Sequence, residues 1–79
     1  MNGEIVRTIP SPSGRFRACV IRTTVGALRV EVERWTEEWV PGYGKVAEFW
    51  ELATVGTTYA DTIERAEELA HEALRTWGD

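Results

Sequence analysis

From Arg15 onward the chain alternates. Phe16, Ala18 and Val20 point one way and Arg15, Arg17, Cys19 and Ile21 the other; after Thr24-Val25-Gly26, Leu28, Val30 and Val32 resume the apolar set with Arg29, Glu31 and Glu33 opposite. A period of two on both sides of a short glycine-containing loop predicts a β-hairpin with one apolar face. A three-residue loop sets Thr23 opposite Ala27, which pairs Val20 with Val30, Ala18 with Val32, Arg17 with Glu33 and Arg15 with Trp35. Slipping by one residue buries Glu31 and Glu33, so the phase is strongly specified.

Val40-Pro41-Gly42-Tyr43 has the proline and glycine positions of a type II turn, and Gly44 adds freedom. A third strand follows, from Lys45 to about Val55. Both of its alternating sets are apolar: Val46, Trp50 and Leu52 on one, Ala47, Phe49, Ala53 and Val55 on the other. Such a strand asks for cover on both faces. Its register against the second strand stays open, and with it the face that carries Trp50.

The last element is a helix. Tyr59, Ile63, Ala66, Ala70, Ala73 and Trp77 recur at helical spacing, widened by Leu69 and Leu74, with Glu64, Arg65, Glu67, Glu68, His71, Glu72 and Arg75 on the other arc. Asp61 with Glu64 makes a capping box, Thr58 with Asp61 competes for the role, and Gly78 stops the helix. Glu4 to Ile9, closed by Pro10-Ser11-Pro12-Ser13-Gly14, forms either an edge strand or an arm. The predicted fold is α+β: a three-stranded antiparallel sheet, with or without a short N-terminal edge strand, and one C-terminal helix on one face. The 79 residues form a single domain, with an arm or edge strand over 1–14, sheet over 15–56 and helix over 58–77.

Composition narrows the class. Apolar residues at 43% and charged residues at 28% belong to an ordinary globular chain. Cys19 is the one cysteine, which excludes an internal disulfide framework and suits a cytoplasmic setting. The longest uncharged stretch, Leu52 to Ala60, is far short of the roughly 20 residues of a membrane span, and no export segment opens the chain. A chain this short builds a thin core, for which self-association is a common remedy.

Charge is uneven. Residues 1–34 carry six Arg against three acids, a net +3, and residues 35–79 carry three basic residues against ten acids, a net −7. The outer sheet face collects Arg15, Arg17, Cys19, Ile21, Arg29, Glu31, Glu33 and Trp35, joined by Trp39 if the strand runs that far. Arg and Trp dominate binding hot spots, so Arg15, Arg17, Arg29, Trp35 and Trp39 are the candidate partner contacts. A protein partner or a second copy, as a homodimer, is the leading expectation. A single-stranded nucleic acid stacked on the Trp rings is the alternative, which Glu31 and Glu33 oppose. A surface merely laced by Arg17–Glu33 pairing, with Arg15 stacked on Trp35, accounts for the same residues.

Catalytic chemistry finds little support. His71 falls on the charged helical arc, and no His or Cys pair has metal-ligand spacing. Glu64, Glu68 and Glu72 share a helix face that reads as solvated. Gly42-Tyr43-Gly44-Lys45 lacks the length and the following Ser or Thr of a phosphate loop. Glu37–Glu38 and Glu48–Glu51 could serve glycoside chemistry, with Trp39, Tyr43 and Trp50 as sugar platforms, only if a concave site stands beside them. The expectation is a non-enzymatic protein with no cofactor, metal or small-molecule substrate.

The helix entry Asp61-Thr62-Ile63-Glu64-Arg65-Ala66, continuing to Ala70 and Glu72-Ala73-Leu74, resembles that of HicB-like antitoxin domains, which are small β-β-β-α domains with a partial ribonuclease-H-like fold. The order of elements matches over roughly residues 15–76. Ala60 stands where that family usually has Gly, Trp50 to Gly56 replaces its Pro- and Gly-containing approach to the helix, and no appended DNA-binding segment follows. The resemblance implies a dimer that masks a small toxin partner, and it assigns no functional residue.

Overall fold

The computed structural model describes residues 3–53 and 58–76. In chain order these form β1 (Glu4–Pro10), β2 (Phe16–Arg22), β3 (Leu28–Val40), β4 (Gly44–Leu52), β5 (Thr58–Ala60) and α1 (Ile63–Thr76). The sheet is antiparallel with strand order β1-β2-β3-β4. Four strands therefore stand in this row where the sequence pattern required three, because Glu4–Pro10, expected as an edge strand or an arm, pairs along β2 as a full edge strand, and β5 joins β3 as a short fifth. The Ser11–Gly14 turn fixes that pairing: Ser11 N–H donates to Phe16 O at 2.9 Å and Ser11 Oγ accepts from Phe16 N–H at 3.2 Å.

The first hairpin has the expected register, with Val20 opposite Val30, Ala18 opposite Val32 and Arg17 opposite Glu33. Thr23 N–H reaches Ala27 O at 2.8 Å, and Gly26 takes the positive φ of 89° that closes so short a loop. The second turn forms as its sequence dictates: Tyr43 N–H bonds Val40 O at 2.9 Å, with Gly42 at φ 85°.

The helix entry differs from expectation. Thr58–Ala60 is strand β5, which lies along Leu28–Val30 on the edge of β3 that β4 uses further on, at Glu33–Val40. Tyr59 therefore belongs to the sheet, and the helix begins at Ile63 instead of residue 58. Thr62 is the N-cap: its Oγ1 accepts from Arg65 N–H at 3.1 Å and its carbonyl from Ala66 N–H at 3.0 Å. A cap at Thr62 puts Arg65 in the third helical position, so neither the Asp61–Glu64 box nor the Thr58–Asp61 alternative forms. Trp77, Gly78, Val55 and residues 54–56 of the expected sheet lie outside the described residues.

Ala66, Ala70 and Leu74 bury the helix against Ala18 and Val20 of β2 and Leu28, Val30 and Val32 of β3. Alanines at the contact let the rod lie close to the sheet. A 13-residue strand is about 43 Å long and a 14-residue helix about 21 Å, so α1 cannot reach the far half of β3. The result is a body 49 × 29 × 19 Å with a radius of gyration of 14.2 Å, against about 11.6 Å for a compact chain of this length. One half of the sheet is covered by helix. The other half, the end of β3 with β4, is a two-stranded ribbon standing clear of it. No helix of the described residues is long and apolar enough to cross a membrane.

Candidate interaction surface on the sheet and ribbon

The sheet face away from α1 carries the odd-numbered residues of β2 and β3. Over β2 it is roofed by its own charged side chains. Arg17 Nε donates to Glu33 Oε1 at 2.6 Å across the hairpin. Arg29 Nε lies 3.1 Å from Glu31 Oε2 without an aligned N–H, so charge alone holds that pair. Beneath these stems Cys19 and Ile21 keep only 1% and 9% of their surface, although among the described residues no further layer of secondary structure packs on that face. Cys19 Sγ points at Glu33 Oε1, 3.6 Å away. Burial first, then the charge of Glu33, push the thiol up to about 11. It is a neutral, shielded thiol and not a nucleophile.

Further along, the face becomes aromatic. Trp35 pairs with Trp50 across β3 and β4, with ring centroids 5.3 Å apart in an edge-to-face arrangement. The register thus puts Trp50 on the outer face. The Arg17 guanidinium lies 4.3 Å from the Trp50 ring centroid, joining the charged lattice to the aromatic pair. This stacking involves Arg17 and Trp50, not the expected Arg15 and Trp35; Arg15 contributes its backbone, accepting from Trp35 N–H at 2.9 Å.

Glu37 organises the outer end of the ribbon. Its carboxylate accepts from Trp35 Nε1 at 3.1 Å and Trp39 Nε1 at 3.3 Å, and lies 3.5 Å from Lys45 Nζ. The Trp35 hydrogen bond chiefly, helped by the charge of Lys45, holds this carboxyl below the ordinary range. Lys45 also donates to Glu48 at 2.8 Å, which raises its own pKa, and sits 5.8 Å from the Trp39 ring centroid. Trp39 nevertheless keeps 63% of its surface exposed. On the helix-side face of the ribbon, Arg34 and Thr36 both donate to Glu51, at 2.7 and 2.9 Å, and Phe49 stands opposite Thr36.

Of the five residues singled out from the sequence, Arg17, Trp35 and Trp39 join this one strip. Arg29 is tied down beside Glu31, and Arg15 is exposed at the start of β2. Trp50 and Glu37 were missed as members. The signal for Glu37 was present: in Trp35-Thr36-Glu37-Glu38-Trp39 the alternation puts one carboxylate between two indoles on the same face. On the helix, His71 is exposed, and Glu68 and Glu72 both lie near Arg65, at 3.0 and 3.9 Å. A shallow hollow of about 200 Å³ runs along Lys45–Glu48. It is lined by none of the tryptophans and is smaller than the ~300–1,000 Å³ usual for ligand sites.

Comparison with protein-family models, with curated proteins and with solved structures finds no match to this chain.

Proposed function

We propose that this protein is a small non-catalytic interaction module that docks another protein on the outer strip of the ribbon, with Trp39, Trp35 and Trp50 as anchors and Arg17 at the margin. One observation carries the reading: the ribbon extends past the helix with large apolar side chains in water, Trp39 at 63% and Tyr43 at 84% exposure. Rigid aromatic rings held by neighbouring hydrogen bonds offer contact area at low entropic cost. Local charge favours protein over nucleic acid. Arg17, Arg29 and Lys45 each sit against a carboxylate, and Arg17 already occupies a face of Trp50 that a base would need. The resemblance of the helix entry to HicB-like antitoxins supplies a class of partner, a small toxin protein.

The test is comparative capture from extracts of the source cells with the wild-type chain and with Trp39→Ser/Trp35→Ser. A protein retained in stoichiometric amount by the first and at least tenfold less by the second supports the reading. Identical retention by both overturns it. Titration with single-stranded oligonucleotides is the second arm: Trp quenching that falls steeply with salt replaces a protein partner with a nucleic acid.

A further inference from the structure

We infer that the free edge of β4 pairs antiparallel with the β4 edge of a second copy, joining two sheets into one. The inference rests on reading the ribbon as an interaction element and adds the occupant of its edge.

The two edges of the sheet are built differently. β1 is blunted by Pro10, by a register shift between Ile5 and Arg7, and by Arg7 turned toward Glu67 of the helix at 3.3 Å. β4 has no proline, and among the described residues no strand pairs with its far side. Its blunting features, Lys45 and a register shift, lie at the turn end. From Ala47 to Leu52 each face carries two apolar residues and one glutamate: Trp50 and Leu52 with Glu48 on the outer face, Ala47 and Phe49 with Glu51 on the other.

The backbone is set for pairing. Ala53 N–H bonds Val32 O at 2.8 Å, which fixes the alternation of the β3–β4 ladder. Ala47, Phe49 and Glu51 turn their peptide groups to β3, so Glu48, Trp50 and Leu52 turn theirs outward. An antiparallel pair of identical strands has a two-fold axis normal to the sheet, so the register is defined by the residue on the axis. Centring on Glu48 or Glu51 opposes a carboxylate to its own copy. Centring on Ala47 runs the ladder through the shifted segment, and centring on Trp50 shortens it. With Phe49 on the axis, the two Phe49 rings meet, Glu48 faces Trp50, Glu51 faces Ala47 and Val46 faces Leu52, so every acid meets an uncharged residue. Val46, Phe49 and Leu52 are 53%, 38% and 55% exposed. These exposed apolar side chains add contact to the backbone ladder of the pair.

The experiment uses the full chain. Sedimentation equilibrium up to about 300 µM should give twice the 8.9 kDa chain mass. Phe49→Lys, which sets two ammonium groups face to face, should weaken the dimer at least tenfold while circular dichroism stays close to wild type, as does melting at dilutions where both chains are monomeric. Phe49→Cys should form an inter-chain disulfide on mild oxidation, because Cβ atoms of directly opposed residues lie about 4.5–5.5 Å apart, whereas Glu51→Cys, displaced from its own copy, should not. A monomer at every concentration overturns the inference, as does a dimer indifferent to Phe49→Lys or one crosslinked through Glu51→Cys and not through Phe49→Cys. A monomer that still captures a protein through Trp35 and Trp39 sinks self-pairing alone. A dimer that captures nothing sinks the docking strip alone.

Discussion

Along β3, Val30 and Val32 keep 4% and 0% of their surface, whereas Trp39 and Val40 on the same strand keep 63% and 39%. The first pair faces the alanine stripe of α1; the second lies on the stretch of the strand beyond the helix, Trp39 on the outer face beside Glu37. In the covered half, stability comes from apolar contact across a close helix–sheet interface. In the ribbon it comes from cross-strand pairs: Trp35 on Trp50, Arg34 and Thr36 on Glu51, and Glu37 between two indoles. A ladder of polar and aromatic pairs can hold a ribbon in shape without a core behind it, and it leaves the apolar remainder free for contact.

The sharpest way to break this division is to truncate one leucine from each half. Leu74→Ala, at 4% exposure, should cost about 2–4 kcal/mol by opening a cavity under the helix. Leu52→Ala, at 55% exposure, should stay within about 0.5 kcal/mol at dilutions where the chain is monomeric. Urea unfolding followed by circular dichroism measures both. Equal losses would mean that the ribbon is part of the core.

Cys19 gives the next test, since it is buried on the face that α1 does not cover. Its thiol is raised from about 9 to about 11 in the fold. An unfolded chain therefore ionises first as pH rises, and binds fewer protons than the native state between those values. The stabilisation is complete below about pH 9 and is lost as pH climbs toward 11, on the order of 2 kcal/mol. Wild type minus Cys19→Ala, measured across that window, isolates it from tyrosine and lysine titration. A flat difference would show that water reaches the thiol through the charged roof.

A smaller effect tests the seam between the halves. Arg17 bonds Glu33 of the covered half and stacks on Trp50 of the ribbon. A double-mutant cycle with Arg17→Ala and Trp50→Ala should show coupling of about 0.5–1 kcal/mol. Zero coupling would make the contact incidental.

The covered half was legible in the sequence because two periods agree there. Phe16 to Val20 and Leu28 to Val32 alternate on either side of a short loop, and a one-residue slip would bury Glu31 and Glu33, so pattern and charge fix the same register. Cys19 was harder to place. Alternation puts it on the outer face, but its shelter comes from arginine and glutamate stems whose packing leaves no periodic trace. Trp50 could not be assigned a face because its strand is apolar on both sides, which removes the signal that fixes phase. β5 was absorbed into the helix because Tyr59 continues the stripe that starts at Ile63. Pairing of Thr58–Ala60 with Leu28–Val30 is a contact between segments some 30 residues apart, and it overrides that local spacing.

Glu37 offers the finest probe, because it belongs wholly to the ribbon. Its carboxylate is exposed, so its protonation should alter local geometry with little effect on global stability. The hydrogen bond from Trp35, with Lys45 and Trp39 behind it, holds the group below the usual glutamate range. The native contacts therefore favour the ionised form: they are fully made above about pH 4.5 and fade as pH falls through the lowered native value. Indole Nε1–H resonances of Trp35 and Trp39 should move together through that acid range while amide signals of Val20 and Val32 stay fixed. Glu37→Gln should abolish the shared titration and leave the melting temperature nearly unchanged. If the core signals moved in step with the indoles instead, the two halves would be one cooperative unit, and the ribbon would owe its shape to the covered half and not to its own cross-strand pairs.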